Sequence, residues 1–395
     1  MKHRLDGLNA LLADMIRWRR YLHERPELSF QEEATSRYIA GLLREFGIET
    51  RTGFAGHAVI GFIAGGSPGP TVALRADIDA LPIQDGKTCP YASKVPGVMH
   101  ACGHDGHTAT LLGLARWFAA NRERLAGNVL LVFQHAEELC PGGAAEIIAS
   151  GALDGADVIY GAHLWTPFPV GRAYTCPGPL MAAPDEFTVT IRGKGGHGGM
   201  PHAAVDAALI GAQTAVNLQT VVSRSVDPSS PAVVSVCSIQ AGSGAYNVIA
   251  ETCELIGTVR TFDTKTRALI RKRMDEIVRH TAAAGGAKAE LKYREGYPAL
   301  VNDEQEAERF FRVAGRALGP GRAARCAPIM AGEDFAYYLE RIPGCFVLVG
   351  AGNRRKGFVY PHHHPLFDFD ENAMLCAARV LAAMVLDYMD EHAKR

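Results

Sequence analysis

The chain has 395 residues, enough for two or three domains at roughly 150 residues each. Hydrophobic residues make up 48% and charged residues 21%, with a formal charge of −1 and a pI near 6.9. No basic arm or acidic tail stands out, which argues against nucleic acid and anionic membrane surfaces as partners.

The first 28 residues carry apolar positions at helical spacing between charges, the pattern of a surface helix and not of a signal peptide. No uninterrupted apolar run approaches the roughly 18 residues of a membrane helix. The expected location is therefore the cytoplasm. Nine cysteines, an odd number without a CxxC pair, favour reduced thiols over a disulfide framework.

Four short β-rich runs end at polar residues: TVALRAD (71–77), VLLVFQH (129–135), VIYGAHL (158–164) and CFVLVGA (345–351). Helical patterns at 105–125 and 142–150 separate them. Apolar strands alternating with helices predict an α/β fold with a mainly parallel sheet. In such sheets ligands bind beyond the carboxyl ends of the strands. Residues 185–296 follow another order: strand, helix, two strands, charged helix, strand. That β-α-β-β-α-β order is ferredoxin-like and predicts an inserted domain. The expected division is 1–184 and 298–395 for the catalytic domain and 185–297 for the insert.

Four clusters carry chemistry. In HACGHDGH (100–107), Cys102 and His104 alternate before a helix that Asp105 is placed to cap, and both are good ligands for zinc-like metals. In FQHAEE (133–138), adjacent carboxylates follow an apolar strand; one can bind metal while the other moves protons. In GAHLWTP (161–167), His163 sits at a predicted strand end. In YPHHHPLFDFDE (360–371), one of three histidines is a candidate ligand. Cys, His, Glu, His and His make five donors, more than the four of a closed structural zinc site. Such a set suits two metals about 4 Å apart sharing a water, which is amide-hydrolysis chemistry.

These motifs resemble the amidohydrolase branch of the M20 metallopeptidases, which includes hippurate hydrolases, N-acetyl amino acid deacylases and auxin-conjugate hydrolases. The likeness spans nearly the whole chain, through RADIDALPI (75–83), MHACGHDGHTATLLG (99–113), FQHAEE, GAHLWTP, GPLMAAPDEFTVTIRGKGGHGGMPH (178–202), NVIAETCELIGTVRTF (247–262), AGEDFAYY (331–338) and HHPLFDFDE (363–371). It implies metal ligands at Cys102, His104, Glu138, His163 and His363, the last chosen because the family's ligand stands two residues before a proline, here Pro365. It implies that Glu137 takes a proton from water and passes it to the leaving nitrogen. Asp77 matches an acidic position near the metals and is expected to support their ligands.

The resemblance further implies that the insert is a dimerisation or lid domain. His197 would stabilise an oxyanion in a catalytic site, while Asn247 and Arg260 would hold the substrate's carbonyl and carboxylate. Gly332 would lie against substrate. The cofactors implied are two divalent ions per subunit, zinc or manganese, with cobalt or nickel as further options. The implied assembly is a homodimer or dimer-based tetramer, and the implied substrate an N-acyl amino acid of the N-acetyl or N-benzoyl type. Rival readings are a dipeptidase or N-carbamoyl amino acid hydrolase on the same fold, and more remotely an inactive metal-dependent binding protein. Three positions depart from the branch pattern: His135 and Ala250 replace prolines, and Trp165 stands beside His163.

Overall fold

A computed structural model describes residues 5–392. The chain divides into two compact units, Met1–Leu180 with Val301–Ala327 and Asp334–Arg395, and Met181–Leu300 with Pro328–Glu333.

The first unit is built on an eight-stranded sheet. Its strands lie in the order Glu49–Thr52, Val59–Ile63, Ala126–Gln134, Ser67–Asp77, Val158–Pro169, Gly344–Gly352, Ala173–Thr175 and Ala323–Arg325. Four of the seven pairings are parallel, including all three that join the central strands. The other three are antiparallel and lie toward the edges. Strand alternation decides what each face carries. Val72, Leu74 and Ala76 enter the hydrophobic core, as do Val129, Leu131 and Phe133 on the neighbouring strand. Arg75, Asp77 and Gln134 therefore turn to the other face. Asp77 pairs with Gln134 at the carboxyl ends of their two strands.

Helices Leu12–His23, His104–Ala120, Asn372–His392 and Glu304–Leu318 pack in sequence on the core. Among the described helices, Asn372–His392 has the length and mean hydropathy to cross a membrane, but 72% of its apolar window is buried inside the protein. Arg379 and Asp387 interrupt its apolar run, and it serves here as a core helix. All nine cysteines are free thiols.

The second unit holds a four-stranded antiparallel sheet ordered Ala232–Ala241, Thr252–Thr261, Ala183–Arg192, Lys288–Arg294. With helices Ala207–Thr220 and Thr264–Ala284 the chain order is β-α-β-β-α-β. Asp206 and Asp263 cap the two helices by accepting backbone N–H bonds from their first turns. Ile270, Met274, Val278 and Ala282 recur every four residues on the long helix and pack on Phe187, Val189, Ile191 and Leu255 of the sheet.

Candidate metal centre and its supports

Cys102, His104, Glu137, Glu138, His163 and His363 come together in the first unit. Their donor atoms form overlapping groups within 4.8 Å: Cys102 with His104 and His163, Cys102 with Glu138 and His363, and His104 with Glu137 and Glu138. Cys102 Sγ lies 3.4 Å from His163 Nε2. Glu138 Oε1 lies 3.3 Å from His363 Nε2 and 3.8 Å from His104 Nε2. Glu137 Oε2 is 3.9 Å from the same His104 nitrogen.

The sheet explains the convergence. Glu137 and Glu138 follow the strand Ala126–Gln134, and Asp77 ends its parallel neighbour. His163 is not at a strand end as the sequence suggests, because its strand runs on to Pro169. Pairing with Ser67–Asp77 stops at Gly161, however, so His163 lies just beyond the last shared rung, where the sheet opens on that side. Gly103, at φ 93°, makes the left-handed turn into the helix His104–Ala120 and stands at its N-cap. Asp105 does not cap that helix. Its carboxylate turns away to accept from Arg19 Nε at 2.8 Å and to bond His23 Nδ1 at 2.7 Å, because a buried guanidinium needs the charge more than the helix end does.

The three adjacent histidines separate by their neighbours. His362 Nε2 bonds the Leu164 carbonyl at 2.9 Å, and its ring stacks on Trp165 at 4.5 Å. His364 Nδ1 accepts from Leu366 N, and its ring stacks on Tyr360. His363 remains facing Glu138, with its backbone N–H donated to the Ala101 carbonyl beside Cys102.

Orientation of the candidate ligand rings comes from groups behind them. His163 Nδ1 bonds the Leu164 carbonyl, leaving Nε2 toward Cys102. His104 Nδ1 bonds both the carbonyl and the carboxylate of Asp79, at 3.0 and 3.1 Å. Asp79 also accepts from the Glu138 backbone N–H at 2.9 Å, so one carboxylate sets two candidate ligands. Asp79 was not singled out from sequence, although it stands two residues beyond Asp77, on the same side in an extended run. Asp77 bonds His107 Nδ1 at 2.6 Å and accepts from Arg75 Nη1 at 2.8 Å; its second oxygen is 3.7 Å from His104 Nε2. Arg75 also donates to Gln134 and to Asp334. Burial pushes the Asp334 carboxyl up to about 6 against the pull of Arg75.

The electrostatics call for a cation. His104 Nε2 is buried without a hydrogen-bond partner. Burial opposes its protonation, yet Asp77 and Asp79 raise it to about 10. Burial and the charges of Glu138, Glu137 and Asp77 hold the Cys102 thiol well above its ordinary range. Burial and neighbouring His107 and His362 keep His163 well below its ordinary value, so it is a neutral donor. A thiol, three imidazoles and carboxylates crowded in this way suit divalent ions of the zinc class.

Backbone strain gathers here as well. Phe30, Ala136 and His363 are the non-glycine residues with left-handed φ among those described, at 66°, 52° and 65°. Each such conformation costs about 1–3 kcal/mol and persists only where surroundings enforce it. His135 next to Ala136 is fully buried and bonds Glu146 through Nε2. A Cβ at Gly56 would fall 2.3 Å from that nitrogen, so Gly56 makes room for the histidine.

In the second unit, His197 is exposed in a two-stranded ribbon that pairs it with Val248, next to Asn247. Its Nδ1 accepts from Gly199 N at 3.0 Å, which places the proton of the neutral ring on Nε2. Arg260 donates to the Met330 and Val259 carbonyls and to Thr258 Oγ1. Gly332 is required by a close neighbour of its own, since a Cβ there would meet Pro184 Cγ at 2.5 Å.

Comparison with known proteins extends over almost the whole molecule. The family model for peptidase family M20/M25/M40 matches residues 73–387. An N-acyl-L-amino acid amidohydrolase of Geobacillus stearothermophilus is 49% identical over 75% of this chain and 80% of its own. An N-acetyl-L-cysteine deacetylase of Bacillus subtilis is 42% identical over 98% of this chain and 91% of its own. The crystal structure of the YXEP protein of Bacillus subtilis, a dinuclear metal-binding peptidase of the M20 family, superposes with a TM-score of 0.82 at 37% identity, covering 97% of this chain and 99% of that one. With a family match over most of its length and relatives this similar, the chain belongs to peptidase family M20/M25/M40.

Proposed function

We propose that this protein hydrolyses the amide bond of N-acyl amino acids, releasing a carboxylic acid and a free amino acid. The observation that carries the reading is the pair of three-donor sets, Cys102–His104–His163 and Cys102–Glu138–His363, which share one thiol beside Glu137. Those five residues would hold two divalent ions, zinc or manganese by the mixture of sulfur, nitrogen and oxygen donors. When bound, the ions supply Lewis-acid polarisation of the amide carbonyl and a water of lowered pKa. Glu137 then accepts the water's proton and delivers it to the amide nitrogen as the C–N bond breaks, one carboxylate serving as base and then acid. His197 donates from Nε2 to the developing oxyanion. Arg260 pairs both oxygens of the substrate's α-carboxylate, and Asn247 holds the amide. The names of the amidohydrolase and deacetylase relatives support this substrate class.

His197 and the metal residues belong to different units, and we place His197 in the site of a second subunit within a homodimer. Nine free thiols suit a reducing compartment, and we place the enzyme in the cytoplasm.

The test is a panel of N-acetyl, N-benzoyl and N-carbamoyl amino acids and dipeptides, run with metal analysis. N-acyl amino acids should be the best substrates, and amidation of the α-carboxylate should lower kcat/KM sharply. Preference for dipeptides or carbamoyl compounds would replace the reading with another hydrolase of the same family.

A further inference from the structure

Glu32 is fully buried, 104 residues from Ala136 in sequence, and lies against the turn that carries Glu137 and Glu138. Its Oε1 accepts the Ala136 backbone N–H at 2.7 Å. Its Oε2 is buried with no hydrogen-bond partner. Ala136 is one of the left-handed non-glycine residues, and Glu137 follows it directly. The segment holding Glu32 has its own left-handed residue, Phe30, whose ring meets the His135 ring edge-on at 5.7 Å. Two segments with left-handed residues thus meet through the Glu32–Ala136 hydrogen bond and the Phe30–His135 ring contact. On the far side of the turn Asp79 accepts the Glu138 N–H. The backbone on either side of Glu137 is therefore fixed by two carboxylates from other parts of the chain.

We propose that Glu32 is a positioning residue, which holds the left-handed turn at Ala136 and thereby aims the Glu137 carboxylate and the Glu138 ligand. The inference rests on the reading of Glu137 as the proton-transfer group. What the turn needs from Glu32 is a hydrogen-bond acceptor at the right reach, and not its charge. Burial, reinforced by the charge of Asp79, already pushes this carboxyl up to about 7, so a neutral amide of the same shape is a mild replacement. Shortening the side chain by one methylene takes the acceptor out of range of Ala136 N unless the backbone moves.

The experiment compares Glu32→Gln, Glu32→Asp and Glu137→Gln in the full-length, metal-loaded protein. Three quantities are read: kcat and KM, metal dissociation constants, and amide hydrogen exchange across 134–138. Glu32→Gln should lose less than about 10-fold in kcat, because an amide oxygen still accepts the bond. Glu32→Asp should lose about 100-fold, with KM less affected, as a misplacement near 1 Å does to a catalytic group. Exchange at Ala136 should accelerate in Glu32→Asp alone, and metal should bind more weakly there through Glu138. If Glu32→Asp matches or exceeds Glu32→Gln in kcat, charge is what matters and the proposal fails. Unchanged exchange at Ala136 in Glu32→Asp overturns it equally. Should Glu32→Asp not fold, a loss well above 10-fold in folded Glu32→Gln overturns it and a smaller loss supports it. Glu137→Gln separates the two readings. Near-normal turnover there removes Glu137 from the mechanism, whereas exchange at Ala136 still reports whether Glu32 holds the turn.

Discussion

Replacing Arg19 by methionine probes how the ligand loop is tied to the rest of the first unit. Arg19 is fully buried on the helix Leu12–His23. It donates to Asp105 at 2.8 Å and to Asp368 at 2.6 Å, with Glu371 at 3.3 Å, and its guanidinium lies 4.4 Å from the Phe369 ring centre. Asp105 adjoins His104, and Asp368 follows His363 by five residues, so one cation braces both candidate ligand segments. Burial opposes the charges, but Arg19 holds both carboxyls below their ordinary range. Methionine keeps the apolar stem and removes the charge. Asp105 retains His23, and Asp368 retains the Tyr91 hydroxyl, but each loses its buried guanidinium. Breaking a buried pair in this way costs about 3–5 kcal/mol. That corresponds to a fall in Tm on the order of 10 °C.

Urea unfolding followed by tryptophan fluorescence is the assay, since Trp18, Trp117 and Trp165 all lie in the first unit. The pH dependence carries the sign. A carboxyl whose folded pKa is depressed contributes stability above its unfolded value, near 3.9, and loses it as pH falls through the folded value. The variant loses Arg19's part of those depressions. The gap between wild type and variant should be widest at pH 7 and close as pH falls below about 4. A gap under about 1 kcal/mol at pH 7, or one that fails to narrow as pH falls below about 4, would refute the argument.

Three further outcomes follow from the site. Glu137→Gln keeps the shape but cannot take a proton, so kcat should fall at least about 100-fold with metal still bound; steady-state kinetics on metal-quantified protein decides it. Chelation should abolish hydrolysis and a divalent ion should restore it, while Cys102→Ala should lower metal content per chain; turnover by a metal-free sample would remove the metals from the mechanism. Co-refolding Glu137→Gln with His197→Ala should recover roughly a quarter of wild-type activity, because half the dimers are mixed and half of their sites are whole. No recovery in confirmed mixed dimers would mean that each site is completed within one chain.

Local patterning made much of this protein legible from its sequence. The four apolar runs 71–77, 129–135, 158–164 and 345–351 read as strands because their apolar, β-branched content is a local property. The insert's order of strands and helices was legible for the same reason. The candidate ligands were legible because chemistry of this kind needs particular side chains in short motifs. Supports behind them were not. Asp79 stands inside RADIDALPI with nothing local to mark it as a support, Arg19 lies in the helical pattern of the first 28 residues, and Glu32 lies just before the helix Glu33–Glu45. Only the tertiary structure brings Glu32 to Ala136 across 104 residues, Arg19 to Asp105 across 86 and to Asp368 across 349. The same holds for Asp105, whose position suggests a helix cap until a buried arginine claims it. Among His362, His363 and His364 the spacing before Pro365 already points to His363 through the family resemblance, and the structure adds the neighbours, Leu164, Glu138 and Leu366, that separate the three rings. Periodicity and motif spacing act within a few residues and survive in the bare sequence. The pairing of buried charges and strained turns is settled by which segments share a dehydrated interior, and that depends on the whole chain being folded.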